Sequence, residues 1–153
     1  MPVSLRSVQP DDDEFLYELF SQTIDDGFMS FNLTQRDAIL RLQFKAQLET
    51  YKAEFPLAEH QIIMLEDQAI GRVMVERTST EHRGVDIALL RDYRSGGIGT
   101  MLIGELLDEA GRAGKPFRIS VVRSNPALHL YDRLGFKTIG ETPSHLLLEW
   151  TAA

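Results

Sequence analysis

Hydrophobic and polar residues follow two periods along this chain, and the changes of period mark out its elements. Alternation with a period of two is typical of strands, whereas spacings of three and four residues are typical of helices. Apolar runs predict strands near residues 3–8, 61–65, 69–75, 85–90, 117–122, 137–140 and 145–150. Helical spacing begins near residues 11, 34, 98 and 126. The order β-α-α-β-β-β-α-β-α-β-β predicts an α+β domain with a mixed, mostly antiparallel sheet.

The second predicted helix is long and carries two apolar stripes. Thr34 and Asp37 form its predicted capping box. One stripe contains Leu40, Phe44, Leu48, Tyr51 and Phe55, and the roughly opposite one Ala38, Leu42, Ala46 and Ala53. We expect the helix to be sandwiched between the sheet and the preceding helix or loop; alternatively, the second stripe contributes to a substrate wall or a dimer contact. The apolar residues of the loop 25–33 pack into the core or line a ligand.

Glycines join the predicted strand 85–90 to the helix that begins near Ile98. Gly96, Gly97 and Gly99 lie in this turn, so several backbone N–H groups point at one spot, and the helix dipole adds positive potential there. The pattern predicts an anion-binding site. No lysine precedes Thr100, so a Walker loop does not fit, and the dinucleotide fingerprint fails because Met101 stands where its third glycine belongs.

A second pattern follows the predicted strand 117–122. Asn125 is the predicted N-cap of a helix with Pro126 at its first position, and Gly135 is its C-cap. One face of this helix carries Ala127, Leu130, Tyr131 and Leu134.

Together the two patterns resemble the signatures of one superfamily. The spacings Arg94-x-x-Gly97-x-Gly99 and Asn125-Pro-Ala-x-x-x-Tyr131-x-x-x-Gly135-Phe136 are similar to those of the GCN5-related N-acetyltransferases (GNAT), in particular small single-domain bacterial-type members. The resemblance extends over the whole element order. It implies a GNAT fold formed by a single domain over residues 1–153, with acetyl-CoA as co-substrate and no metal.

The resemblance also implies where acetyl-CoA binds. The central strand would splay from the next parallel strand, and its exposed edge would hydrogen-bond the pantetheine. Asn125 would contact the cofactor at the mouth of this gap. Arg91 stands where family members often carry proline, which alters the approach to the loop. The implied cofactor-binding residues are Ala88, Leu89, Leu90, Arg94, Ser95, Gly96, Gly97, Ile98, Gly99, Thr100 and Asn125.

Acetyl transfer to an amine requires a proton acceptor and a proton donor. Tyr131 is the predicted general acid for the leaving thiolate, the alternative being a core tyrosine. Asp86 is the first choice for the general base, although an acid in this strand is also explained by pairing with an arginine. Weaker base candidates are Glu76, Glu81 and His82. The predicted reaction is direct attack by a primary amine in a ternary complex; the alternatives are a non-catalytic acyl-CoA sensor and an enzyme that binds another nucleotide.

Composition narrows the remaining possibilities. The 153 residues contain no cysteine, so a thiolate nucleophile and a cysteine zinc site are excluded. A net charge of −7 argues against extended binding to nucleic acid. No membrane-length apolar run or signal peptide is visible, and we expect a cytoplasmic protein that does not bind membranes. The acceptor, the acyl-chain length and the choice between monomer and homodimer stay open.

Overall fold

Seven strands form a single sheet in a computed structural model that describes residues 3–24 and 33–152. The strands are β1 (Val3–Ser7), β2 (Glu59–Leu65), β3 (Gln68–Arg77), β4 (His82–Leu89), β5 (Phe117–Val122), β6 (Lys137–Glu141) and β7 (His145–Trp150). The helices are α1 (Asp13–Thr23), α2 (Leu33–Glu54), α3 (Ile98–Arg112) and α4 (Leu128–Arg133), with short 3-10 turns at Pro10–Asp12 and Arg91–Tyr93. The predicted element order and fold class are confirmed.

The strand order is β1-β2-β3-β4-β5-β7-β6, and every neighbouring pair is antiparallel except β4 with β5. Side chains alternate between the two faces of the sheet, so the neighbours Ile62 and Ile63 enter different cores. One core lies under α3 and includes Leu102 and Phe117. The other lies under α1 and α2 and includes Leu40. Helices on both faces therefore fix the position of the central strand β4.

The parallel pair β4–β5 is short. Its ladder contains His82 with Phe117, Arg83 with Arg118 and Gly84 with Ile119. Beyond Gly84 the two strands no longer pair, although β4 continues to Leu89 and β5 to Val122. A bulge follows directly on β4, because its pairing with β3 shifts between Gly84 and Asp86. The strands thus part and leave a gap between residues 85–89 and 120–122, as the resemblance implies.

The expected sandwiching of α2 is wrong. Leu40 and Phe44 of the first stripe are buried, but Ala38, Leu42, Ala46 and Ala53 of the second stripe are exposed, Leu42 by 70%. The reason is that α1 and α2 lie side by side on the same face of the sheet, so only one face of α2 is covered. The sequence hypothesis about the segment before α2 falls on residues 25–32, outside the described residues.

Two helix starts also differ from the prediction. Helix α2 begins at Leu33, so Thr34 lies inside it, and the Asp37 carboxylate accepts hydrogen bonds from Tyr17 and Arg41. The last helix begins at Leu128 and not at Pro126. Asn125 closes a turn before it, because its side chain accepts the N–H of Ala127 at 2.8 Å and its carbonyl accepts the N–H of Leu128 at 3.1 Å.

Candidate active site

The glycine loop, residues 94–99, connects the gap to the start of α3. Ser95 and Gly97 have positive φ angles of 63° and 89°. The N–H groups of residues 95–100 donate to no backbone carbonyl within the described chain, and the first helical amide that does so is that of Met101, bonded to the Gly97 carbonyl at 3.0 Å. Six successive unpaired amides at a helix N-terminus are suited to bind an anion.

Space around the loop is open. A Cβ added at Gly96 or Gly97 would meet no atom within 4 Å, and one at Gly99 would meet only the Leu89 side chain, at 3.9 Å. The loop is tied to β4 by Arg94, whose Nε donates to the Leu89 carbonyl at 2.9 Å. The 3-10 turn that precedes the loop is tied to α1 by the Arg91 N–H, which donates to the Gln22 side chain at 2.7 Å. The unpaired amides are therefore held in place and accessible.

The edge of β4 supplies main-chain groups to the gap. The Leu90 N–H donates to the Ile70 carbonyl of β3 at 2.8 Å. Because main-chain groups alternate in direction along an antiparallel strand, Ala88 and Leu90 serve the ladder with β3, while Ile87 and Leu89 point towards the gap. Leu89 and Ile87 thus have main-chain groups on the side of the gap. Ala88 and Leu90, which the resemblance also placed on the exposed edge, face β3 instead, and the sequence did not single out Ile87.

Asp86 lies at the same gap, in a cluster of polar side chains under α2. Its Oδ2 accepts hydrogen bonds from Arg72 Nη2 at 2.5 Å and from the Tyr51 hydroxyl at 3.1 Å. Arg72 Nη2 also donates to Gln47 Oε1 at 2.8 Å. The arginine pairing considered for Asp86 is therefore present. Sequence reasoning missed Arg72, although a charge within the apolar run 69–75 signals a buried partner.

Tyr131 is half-buried beside this cluster. Its ring packs edge-on against Phe136, with centroids 5.4 Å apart. Burial raises the pKa of Tyr131 above its ordinary value, and the Asp86 carboxylate raises it further, so the phenol carries its proton at neutral pH. The hydroxyl makes no hydrogen bond to any other described residue. Both readings of Tyr131 fit: its ring is part of the core, and its hydroxyl is a donor without a fixed acceptor.

Asn125 and the weaker base candidates lie at separate places in the fold. Asn125 follows β5 and donates its N–H to the Val122 carbonyl at 2.9 Å, which places it at the open end of the gap. Glu81 is paired with Arg83 and Arg118, Glu76 accepts the Leu57 N–H, and His82 is 5% exposed. Residues 3–24 and 33–152 contain no group of three or more side chains suited to hold a metal.

The family model of the acetyltransferase (GNAT) domain matches residues 55–138. This chain belongs to the GNAT family. The matched range contains the glycine loop, Asp86, Asn125 and Tyr131. No curated protein sequence matches this GNAT chain. None of its helices within the described ranges is long and apolar enough to cross a bilayer.

Solved structures share the fold of this GNAT protein. PaiA N-acetyltransferase from Thermoplasma acidophilum, in complex with coenzyme A, is 16% identical with a TM-score of 0.71, covering 97% of this chain and 98% of its own. Histone acetyltransferase HPA2 and related acetyltransferase from Corynebacterium glutamicum is 18% identical, with a TM-score of 0.69 and coverage of 100% and 98%. The ribosomal-protein-S18-alanine N-acetyltransferase from Escherichia coli is 17% identical, with a TM-score of 0.65 and coverage of 99% and 96%.

Proposed function

We propose that this GNAT protein transfers an acetyl group from acetyl-CoA to a primary amine, with both substrates bound together on a single domain of residues 1–153. The observation that carries the proposal is the glycine loop, whose six unpaired amides lie beside the gap between β4 and β5. The coenzyme A bound to the Thermoplasma PaiA structure supports it.

The described residues fit the parts of coenzyme A. The amides of residues 95–100 suit the diphosphate, because anions bind at helix N-termini and the open space at Gly96 and Gly97 allows close approach. The main-chain groups of Ile87 and the N–H of Leu89 suit the amides of the pantetheine arm, in the manner of an added strand. Asn125 lies at the open end of the gap, where it would contact the cofactor.

The chemistry needs one bond made, one broken and two proton movements. Acetyl-CoA supplies a carbonyl activated as a thioester. The neutral amine nitrogen attacks that carbon, a C–N bond forms, and the C–S bond breaks with its electron pair on sulfur. Asp86 would accept the amine proton, directly or through water, and Tyr131 would donate its own proton to the thiolate. The products are an N-acetyl amide and free coenzyme A.

Purified protein tests the proposal directly. Titration calorimetry with acetyl-CoA and thiol release against amino acids, polyamines, aminoglycosides and peptide N-termini are the measurements. We expect saturable acetyl-CoA binding and thiol release with at least one amine. Binding without release across the whole panel would instead favour the non-catalytic acyl-CoA sensor. Displacement by ATP or NAD, but not by coenzyme A, would contradict the proposal and favour another nucleotide.

A further inference from the structure

The side chain of Arg72 is a buried charge that neither the glycine loop nor the predicted reaction explains. Arg72 lies in the middle of β3 and is 3% exposed. Burying a guanidinium costs several kcal/mol unless its charge is paired and its donors are satisfied. Its ionic partner is Asp86, whose side chain is 18% exposed against 4% for that of Arg72. The arginine is thus behind the carboxylate, on the side away from solvent.

Tyr51 reaches the same oxygen from another element. Its hydroxyl donates to Asp86 Oδ2 from α2, whereas Arg72 donates from β3. The Arg72 guanidinium also lies 5.9 Å from the centre of the Tyr51 ring, and its Nη2 is held by Gln47 of α2. Two donors on different elements hold Oδ2 in a fixed direction. Neither of them reaches Oδ1, the other oxygen of the carboxylate.

The cluster also contains unpaired polar atoms. Arg72 Nη1 and His60 Nε2 are both buried without a hydrogen-bond partner among the described residues. His60 lies on β2 near Arg72. Burial is the main cause that lowers the pKa of His60 to about 4, and the positive charge of Arg72 is the second. An arginine kept here with one donor unsatisfied is costly for stability. The hydrogen bonds of Arg72 to Asp86 and Gln47 offset part of this cost.

We propose that Arg72 and Tyr51 are positioning residues, which together hold Asp86 Oδ2 so that Oδ1 faces the amine. The inference rests on the proposed function. A strand aspartate without such partners has several side-chain rotamers. Fixing one of them keeps the Asp86 carboxylate within hydrogen-bond reach of the amine substrate. Both residues act through Asp86 and need not touch either substrate.

A double-mutant cycle tests the inference. Asp86→Asn is expected to lower kcat/KM for the amine by roughly 100-fold, as for loss of a general base. Tyr51→Phe is expected to lower it by about 5-fold in the unchanged protein and by less than about 2-fold when Asp86→Asn is present, because residues that act through one group are non-additive. The KM for acetyl-CoA is expected to stay within about 2-fold throughout.

A second pair of variants tests the arginine. Arg72→Met is expected to lose at least as much kcat as Tyr51→Phe, and Arg72→Lys to recover part of that loss, since it restores a cation on the same side of the carboxylate. A crystal structure of Tyr51→Phe provides a readout independent of activity, and it is expected to show Asp86 in more than one rotamer. If Arg72→Met fails to fold, Tyr51→Phe alone decides.

Tyr17 provides a matched control. It is a buried tyrosine, whereas Tyr51 is half-buried, and the Tyr17 hydroxyl donates to the Asp37 side chain at 2.6 Å, between α1 and α2. Tyr17→Phe removes a comparable hydrogen bond and is expected to lower the melting temperature without changing kcat/KM. If Tyr51→Phe behaves in the same way, lowering only the melting temperature, the positioning role is overturned.

Failures of the two proposals are distinguishable. Absence of thiol release by the unchanged protein overturns the proposed function, and this inference with it. Transfer that is equally fast in Asp86→Asn removes Asp86 as the base and overturns the inference, but leaves acetyl transfer intact. If Asp86→Asn slows transfer, but Tyr51→Phe still lowers kcat/KM by its full factor when Asp86→Asn is present, the inference is overturned and the proposed function stands.

Discussion

Gly97 holds the glycine loop in a backbone conformation that side chains disfavour. Its φ of 89° lies in the left-handed region, and it is the residue directly before α3. Ser95 shares this feature with a φ of 63°, which is uncommon outside glycine, asparagine and aspartate. Such backbone conformations are retained where a function needs them. Here both residues lie within the stretch 95–100, whose amides donate no backbone hydrogen bond.

Gly97→Ala is expected to weaken acetyl-CoA binding at least tenfold and to destabilise the fold by about 1 kcal/mol, because alanine resists a positive φ. The space is open, so strain and not a clash is the cause. Calorimetry and thermal unfolding measure the two effects. Gly104→Ala, within α3 and also without near neighbours, is the control and should stabilise by about 0.5–1 kcal/mol. Equal acetyl-CoA affinity in both variants would contradict the anion site.

Tyr131→Phe is expected to lower kcat about 10- to 1000-fold while leaving acetyl-CoA affinity unchanged. The substitution removes the raised-pKa hydroxyl but keeps the ring that packs against Phe136. Steady-state kinetics and calorimetry measure the two quantities. Unchanged kcat would leave Tyr131 as a core residue only, while a parallel loss of affinity would indicate a binding role for the hydroxyl.

The turn that precedes α1 shows how a local element depends on one buried carboxylate. Asp12 accepts the Gln9 N–H at 2.7 Å and pairs through both oxygens with Arg6 of β1. The hydrogen bond from Arg6 is the main cause that lowers the pKa of Asp12 to about 2. One side chain thus closes the turn and ties α1 to the edge of the sheet. Of the four consecutive acidic residues 11–14, Asp12 therefore has a structural role.

Stability is expected to fall with acidification in two windows. His60 has a folded-state pKa of about 4, below its unfolded value near 6.5, so the unfolded chain binds the proton first and stability is lost between these values. Asp12 likewise contributes stability above about pH 4 that is lost as the pH falls towards 2. The measurement is the free energy of unfolding in urea as a function of pH.

Each of the two pH windows is tested by its own variant. His60→Gln is expected to reduce the slope between about pH 6.5 and 4, leaving the part due to His82, whose pKa is also lowered by burial. Asp12→Asn is expected to reduce the slope between about pH 4 and 2. Asp12→Asn is also expected to cost about 1–2 kcal/mol at neutral pH, since it removes the charge that pairs with Arg6. A curve whose slope stays the same in either variant would contradict the corresponding assignment.

The whole sheet depends on a short junction. Apart from the packed helices, β1–β4 are joined to β5–β7 through the three residue pairs of the β4–β5 ladder. The last of these pairs contains Gly84, and the gap opens directly after it. Because the junction is short, the sheet stays continuous and still exposes the edge of β4 in its middle. In a regular sheet that edge would be paired along its whole length.

Gly84→Ala is expected to destabilise the fold by about 1–3 kcal/mol, because the new methyl group overpacks the junction. A Cβ there would lie 2.8 Å from the Ile119 side chain and 3.0 Å from the ring of Phe117, which is 1% exposed. Chemical unfolding measures the change. Gly140→Ala on β6 is the control, since its nearest neighbour would be at 3.7 Å. Equal stability of the two variants would show that the junction adapts.

Local sequence patterns were sufficient to predict the elements, the fold class and the glycine loop. These features depend on neighbours in the chain: the period of apolar positions, and glycines between a strand and a helix. The family followed from two such local patterns in register. Errors arose where a side chain had a choice of partner. Asp37 pairs with Tyr17 and Arg41 instead of capping α2, and Asn125 closes a turn three residues before α4.

The side chains around Asp86 could not be predicted from the sequence, because they are brought together by long-range packing. Tyr51 lies 35 residues and Arg72 14 residues before Asp86 in the chain, and the three meet because β3 pairs with β4 and α2 packs over both. No local pattern encodes that meeting. The burial of one α2 stripe and the exposure of the other were decided in the same way, since they depend on where α1 packs. Local chemistry limits which partners a side chain can have, and long-range packing determines which of them it contacts.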